Sequence, residues 1–410
     1  MKLKDAELKD KIRTLLLIGC LSVTSPAWAQ LPEIDLKLVP EGYFSMGDHY
    51  SEGSANELPI HYLSVSDFMI GTYEVSKAEW SAVISWASKN GYPDLKNPGQ
   101  AGSDSKNLYN HPVTQVNWYE IVKWCNALSE WSGLDPVYWL TDEAGNKQSI
   151  YREGNHNDVM MDVDANGYRL PTEAEWEKAA RGSLVAHYFP WPSSGKKDET
   201  YADHIDSGLA VYFGSDDNST VGNDDTAYRA NGYGLYHMSG NVWEWVWDWY
   251  DSDWYSKVDA SINDTLGPVS GSGRVNRGGS WNFEANFCRV ATRLSSLPDN
   301  KSYDLGFRVC LNVQKKSPKA EQAKSKKDTT ETNAEADAVP PSSSLENEEI
   351  DVVLPSSSLE DEEADAVLPS SSLEDEEPDV VPPSSSLENE ETMENSADVP
   401  LEPQDSLESN

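Results

Sequence analysis

Gly167-Tyr-Arg-Leu-Pro-Thr-Glu-Ala-Glu-Trp-Glu177, Asn231-Gly-Tyr-Gly-Leu-Tyr-His-Met-Ser-Gly-Asn-Val-Trp-Glu-Trp245 and Arg277-Gly-Gly-Ser-Trp281 follow one another in a 410-residue chain, which Leu305-Gly-Phe-Arg308 closes. The first phrase opens a helix. Thr172 stands three residues before Glu175, so each side chain can satisfy a backbone N–H that the helix start leaves orphaned. Trp176, Ala179 and Ala180 then share one helical face. The second phrase runs into a strand: from Val242 to Trp249, Trp recurs at period two and makes one face aromatic. Working outward, Ser76-Lys-Ala-Glu79 and Asn117-Trp-Tyr-Glu120 announce two further helices. Ile121, Cys125 and Leu128 fall on one side of the latter. All three helices should be short, roughly 10–13 residues, near the usual mean. Tyr62–Ser66 and Phe68–Val75 read as strands. The stretches 86–110, 191–230 and 251–276 are rich in Gly, Asn, Asp and Ser. So much irregular chain requires something besides a sheet to order it.

Together the phrases resemble the sulfatase-modifying-factor family, whose founding member is the formylglycine-generating enzyme, across residues 36–312. The resemblance implies an α+β fold of C-type-lectin-like architecture, with little regular secondary structure and bound calcium.

The two ends read differently. Lys2, Lys4, Lys9, Lys11 and Arg13 precede an apolar run, Leu15–Val23, and Ala27-Trp28-Ala29 supplies a small-x-small pattern. Residues 1–29 are expected to be a signal peptide. Leu17-Ile18-Gly19-Cys20 also resembles a lipobox, which would leave Cys20 as a lipidated terminus. Both readings export the protein to the periplasm, the envelope or the medium. No other stretch is long and apolar enough for a membrane helix. Residues 314–410 are expected to be a disordered acidic tail, with Pro-Ser-Ser-Ser-Leu-Glu recurring every 14 residues at Pro341, Pro355, Pro369 and Pro383. Such repeats bury too little apolar surface to offset their ordering entropy, so the tail reads as a spacer. Of the net charge of −38, residues 331–410 carry −25, leaving −13 for the rest. Both parts would repel a polyanion, so nucleic acid is not an expected partner. All 15 Trp lie between Trp28 and Trp281, and no Phe, Trp or Tyr follows Phe307. The core-forming residues stop where the last motif stops.

Within the resemblance, the loop ending at Trp245 implies a calcium site. Its ligands would be a side chain at His237, carbonyls at Gly240 and Val242, and the Glu244 carboxylate. Calcium takes six to eight hard oxygen ligands, and an imidazole at His237 departs from that chemistry. Asp203 resembles the start of a second calcium loop, with Asp216 and Asp217 on its far side. Cys125 and Cys310 resemble the positions joined by a structural disulfide. Cys288 is then the odd thiol.

Cys288 bears on activity. Family enzymes bind copper between two cysteines that follow the glycine turn, and oxidise a substrate cysteine to an aldehyde. Here the first of these positions is Phe283, and Cys288 meets the second or, counted from the other side, a non-catalytic position. One thiolate does not make a two-coordinate copper site, and Cys288 equally reads as a small buried hydrophobe. The seven His show no helical metal-ligand spacing, and there is neither a Gly-x-Ser-x-Gly elbow nor a phosphate loop. The sequence therefore favours an exported peptide- or glycan-binding module. Its cleft would lie at Trp281, Asn282, Glu284, Asn286, Arg289 and Arg293. The alternative is a formylglycine-generating oxidase using Cys288 and copper.

Overall fold

The computed structural model describes residues 31–103, 109–191, 203–215, 219–223 and 227–313. The expected leader, the tail, Asp216 and Asp217 lie outside them. All three helices form where their caps announced them. They are α1 (Lys77–Ala87), α2 (Trp118–Trp131) and α3 (Glu173–Arg181), with complete capping boxes at Ser76/Glu79, Asn117/Glu120 and Thr172/Glu175. Helix α3 stops at Gly182, whose φ of 56° is the left-handed conformation glycine adopts without a Cβ penalty.

Strands are numbered in chain order. One four-stranded sheet runs β1 (Leu36–Val39), β4 (Phe68–Gly71), β15 (Cys310–Asn312), β10 (Tyr168–Arg169). Every pair in it is antiparallel, and Cys310 faces both Ile70 and Arg169. The second runs β13 (Arg293–Ser296), β12 (Arg274–Arg277), β11 (Trp243–Trp249), β14 (Leu305–Phe307), with β11 and β14 parallel. Smaller sheets are β2 (Gly42–Met46) with β3 (His61–Val65), β5 (Gln100–Ala101) with β6 (Val113–Thr114), and β7 (Tyr138–Thr141) between β8 (Lys147–Ile150) and β9 (Met160–Met161). The strand expected over Phe68–Val75 stops at Gly71. Beyond it the Thr72 N–H donates to Asp35 and the Val75 N–H to Phe307, so the chain leaves the sheet to brace two others.

Strand β11 positions everything that follows. All seven of its residues are buried. Trp243, Trp245 and Trp247 enter one core with Trp80, Trp118 and Trp124, while Val246 enters a second with Trp176 and Ile70. The face alternating with the indoles carries Glu244 and Asp248. A buried carboxylate is tolerated only when paired or neutralised, and the site is built around how each is handled.

Candidate functional site

Glu244 is fully enclosed. Arg308 grips it from both sides, Nη2 donating to Oε1 and Nε to Oε2, each at 2.7 Å, and the Trp176 indole N–H adds 2.8 Å to Oε2. The rest of that guanidinium donates to the carbonyls of Gly71 and Tyr236. Calcium ligation through Glu244 was expected, but the guanidinium and the indole already engage both carboxylate oxygens. The donor set at 237–244 therefore does not fit that ion. Gly240 donates its N–H to Gly278 at 2.8 Å, and Val242 is buried. His237 is buried too, with its Nε2 unpartnered among the described residues. Burial, with the Arg308 charge, pushes the imidazole down to about 3 and keeps it neutral. Asp203 accepts the N–H groups of Tyr188 and Phe189 and lies 3.6 Å from His187 Nδ1. It ties down a loop rather than facing an open cation site. Among the described residues no three His, Cys, Asp or Glu side chains are grouped as metal ligands.

The glycine turn brings Cys288 under the next part of the site. Gly279 has φ 76°, and a Cβ built there would sit 2.6 Å from Cys288 Sγ. The sulfur packs with Phe189, Trp191 and Ala210 and is 0% exposed. Burial pushes its thiol up to about 12, so the nucleophilic thiolate is suppressed. Phe283 meets Trp243 edge-on at 5.4 Å and Phe287 at 5.3 Å. An aromatic cluster thus stands where copper would need its other thiolate, and the residues present do not fit that ion. Cys125 and Cys310, expected as a disulfide, are also free thiols, both fully buried. Burial raises both, Cys310 well above its ordinary value.

The expected cleft divides. Arg289 makes a bidentate pair with Glu57 at 2.7 and 2.8 Å, and Arg293 pairs with Glu173 at 2.7 Å through two nitrogens. Arg293 is 1% exposed. Both arginines hold segments together and neither lines a cleft; that expectation is corrected. Trp281 and Asn282 are half-buried, and Glu284 and Asn286 exposed. The Trp281 ring packs on Val211, Val221 and Tyr228 and lies 5.7 Å from Tyr303. Asn282 Nδ2 donates to the Tyr303 hydroxyl at 3.0 Å. Phe213, bonded through its N–H to the Phe283 carbonyl, is 60% exposed and Tyr303 44%.

Sequence reasoning missed Tyr303 and Phe213, which lie in irregular chain without a motif. It also missed Glu74. The one signal was an acid ending the apolar run Phe68–Val75. Glu74 is 1% exposed. It takes one hydrogen bond at Oε1, from Asn241 Nδ2 at 3.0 Å. Burial, opposed by Arg308, pushes its carboxyl up to about 8.

Residues 25–313 match the Sulfatase-modifying factor enzyme 1-like domain. The chain belongs to this family. The sulfatase-modifying-factor fold, α+β, is therefore its architecture. A formylglycine-generating enzyme of Thermomonospora curvata is 31% identical over 300 residues, 67% of this chain and 92% of that protein. A protein named chaperone protein LppX, from Paenibacillus barcinonensis, is 29% identical over 286 residues, 67% of this chain and 88% of its own. Among solved structures, Treponema denticola variable protein 1 superposes with a TM-score of 0.53 at 30% identity, covering 69% of this sulfatase-modifying-factor chain and 96% of that one.

Proposed function

We propose that this domain is a non-catalytic binding module. Its ligand-contacting edge is Trp281, Asn282, Phe213 and Tyr303, and its ligand an extracytoplasmic peptide or glycan. The N-terminal leader, read as an export signal, supports a location outside the cytoplasm. The observation that carries the reading is the state of Cys288: one thiol, sealed under Gly279, with Phe283 at the sequence position of the other family cysteine, where the family's copper chemistry requires two thiolates. What remains exposed beside it suits adhesion, since aromatic rings offer contact area at low entropic cost and fixed amides orient polar groups.

Two measurements test this. The purified chain is incubated with copper, oxygen and a Cys-x-Pro-x-Arg peptide, and no aldehyde is expected. Aldehyde formation that disappears in Cys288→Ser would replace this reading with the oxidase. Peptide and glycan arrays are then probed with wild type and Trp281→Ala; hits should weaken at least tenfold in the variant, and an equal pattern would move the binding edge elsewhere.

A further inference from the structure

One carboxylate near Arg308 feels that charge but forms no ion pair with any described residue. Arg308 commits its guanidinium to Glu244 and to backbone carbonyls, leaving Glu74 to the neutral Asn241 amide. Glu74 Oε2 and Asn223 Oδ1 are both buried and accept no hydrogen bond from any described residue. The two residues are joined, Asn223 Nδ2 donating to the Glu74 carbonyl at 3.3 Å. Asn241 also holds this corner together, accepting the Val221 N–H at 3.0 Å through Oδ1. Buried polar atoms in folded proteins are almost always satisfied, and buried charges are paired or ligate a cation.

We propose that Glu74 Oε2 and Asn223 Oδ1 are the protein's contribution to a cation site, which adjoins the 237–244 loop through Asn241 but uses other oxygens than the set that Arg308 closes. Once Glu74 gives up its proton, its carboxylate and the Asn223 amide oxygen are both hard donors, so the guest complementary to that form is positively charged and binds in exchange for the proton. Two sources supply that chemistry, a metal ion such as calcium or the ammonium head of an organic ligand.

The test is thermal unfolding of the full chain after chelator treatment, titrated with calcium chloride or methylammonium chloride, with tetramethylammonium chloride as ionic-strength control. A ligand that binds only the folded state raises the midpoint saturably. Wild type should show this with one of the two probes, and which one identifies the source. Glu74→Gln should lose the response, yet unfold no earlier than wild type in cation-free buffer, because it removes an uncompensated buried acid. Asn223→Ala should raise the half-saturating concentration at least tenfold, and it decides the matter should Glu74→Gln not fold. No saturable rise with either probe, or an equal rise in the variants, would overturn the proposal and leave a neutral carboxyl bonded to water.

Discussion

At the residue scale, the molecule spends charge on cohesion. Glu244 and Arg308 are both buried and bonded to each other twice. Removing one partner leaves the other charged and dry, so Glu244→Gln or Arg308→Met should destabilise by about 3–5 kcal/mol in urea denaturation. Cys288 makes a chemical prediction. With its thiol sealed and raised to about 12, it should resist iodoacetamide at pH 8 for hours in the native protein and react within minutes once unfolded. Gly279→Ala must place a methyl 2.6 Å from that sulfur at φ 76°, and should cost at least about 2 kcal/mol through overpacking and backbone strain. These residues also mark how far the sequence could be read. The glycine turn and the missing second cysteine were legible because they are local. The fate of Arg289 was not, since its partner Glu57 lies 232 positions away; a free and a bonded arginine are spelled alike.

At the element scale, caps and periodicity carried most of the information. Each capping box sets two side chains three residues apart against one helix start, which is why all three were found. Asn117→Ala removes the oxygen that accepts the Glu120 N–H and should lower stability by about 1 kcal/mol. The Trp alternation of β11 announced one buried face. It gave no hint that the opposite face is buried as well, because Glu244 and Asp248 look like solvent-facing residues until their distant partners are known. Asp248 accepts the Glu173 N–H at 2.6 Å, and burial, with the Glu173 charge, pushes it from 3.8 up to about 8. A carboxyl raised on folding stabilises below its unfolded value and loses that contribution as pH rises through the folded one. Wild type should therefore lose stability relative to Asp248→Asn as pH climbs from about 4 to 8, by at most about 1.4 kcal/mol per unit. Parallel denaturation curves across that range would contradict it.

At the scale of the whole molecule, the aromatic residues end at Phe307, the buried core at Cys310 and the described structure at Val313. A chain stopped after Val313 should keep its unfolding temperature within about a degree of the full protein, since an acidic sequence without aromatic residues is expected to contribute little to a core. Stopping it slightly earlier is another matter. β15, residues 310–312, is an inner strand of its sheet, with β4 on one side and β10 on the other. Its partners therefore wait for it: the sheet stays split in two until nearly all of the domain has been made. The acidic stretch that follows in the sequence, strongly charged and without an aromatic ring, offers this late-arriving keystone no competing core-forming segment.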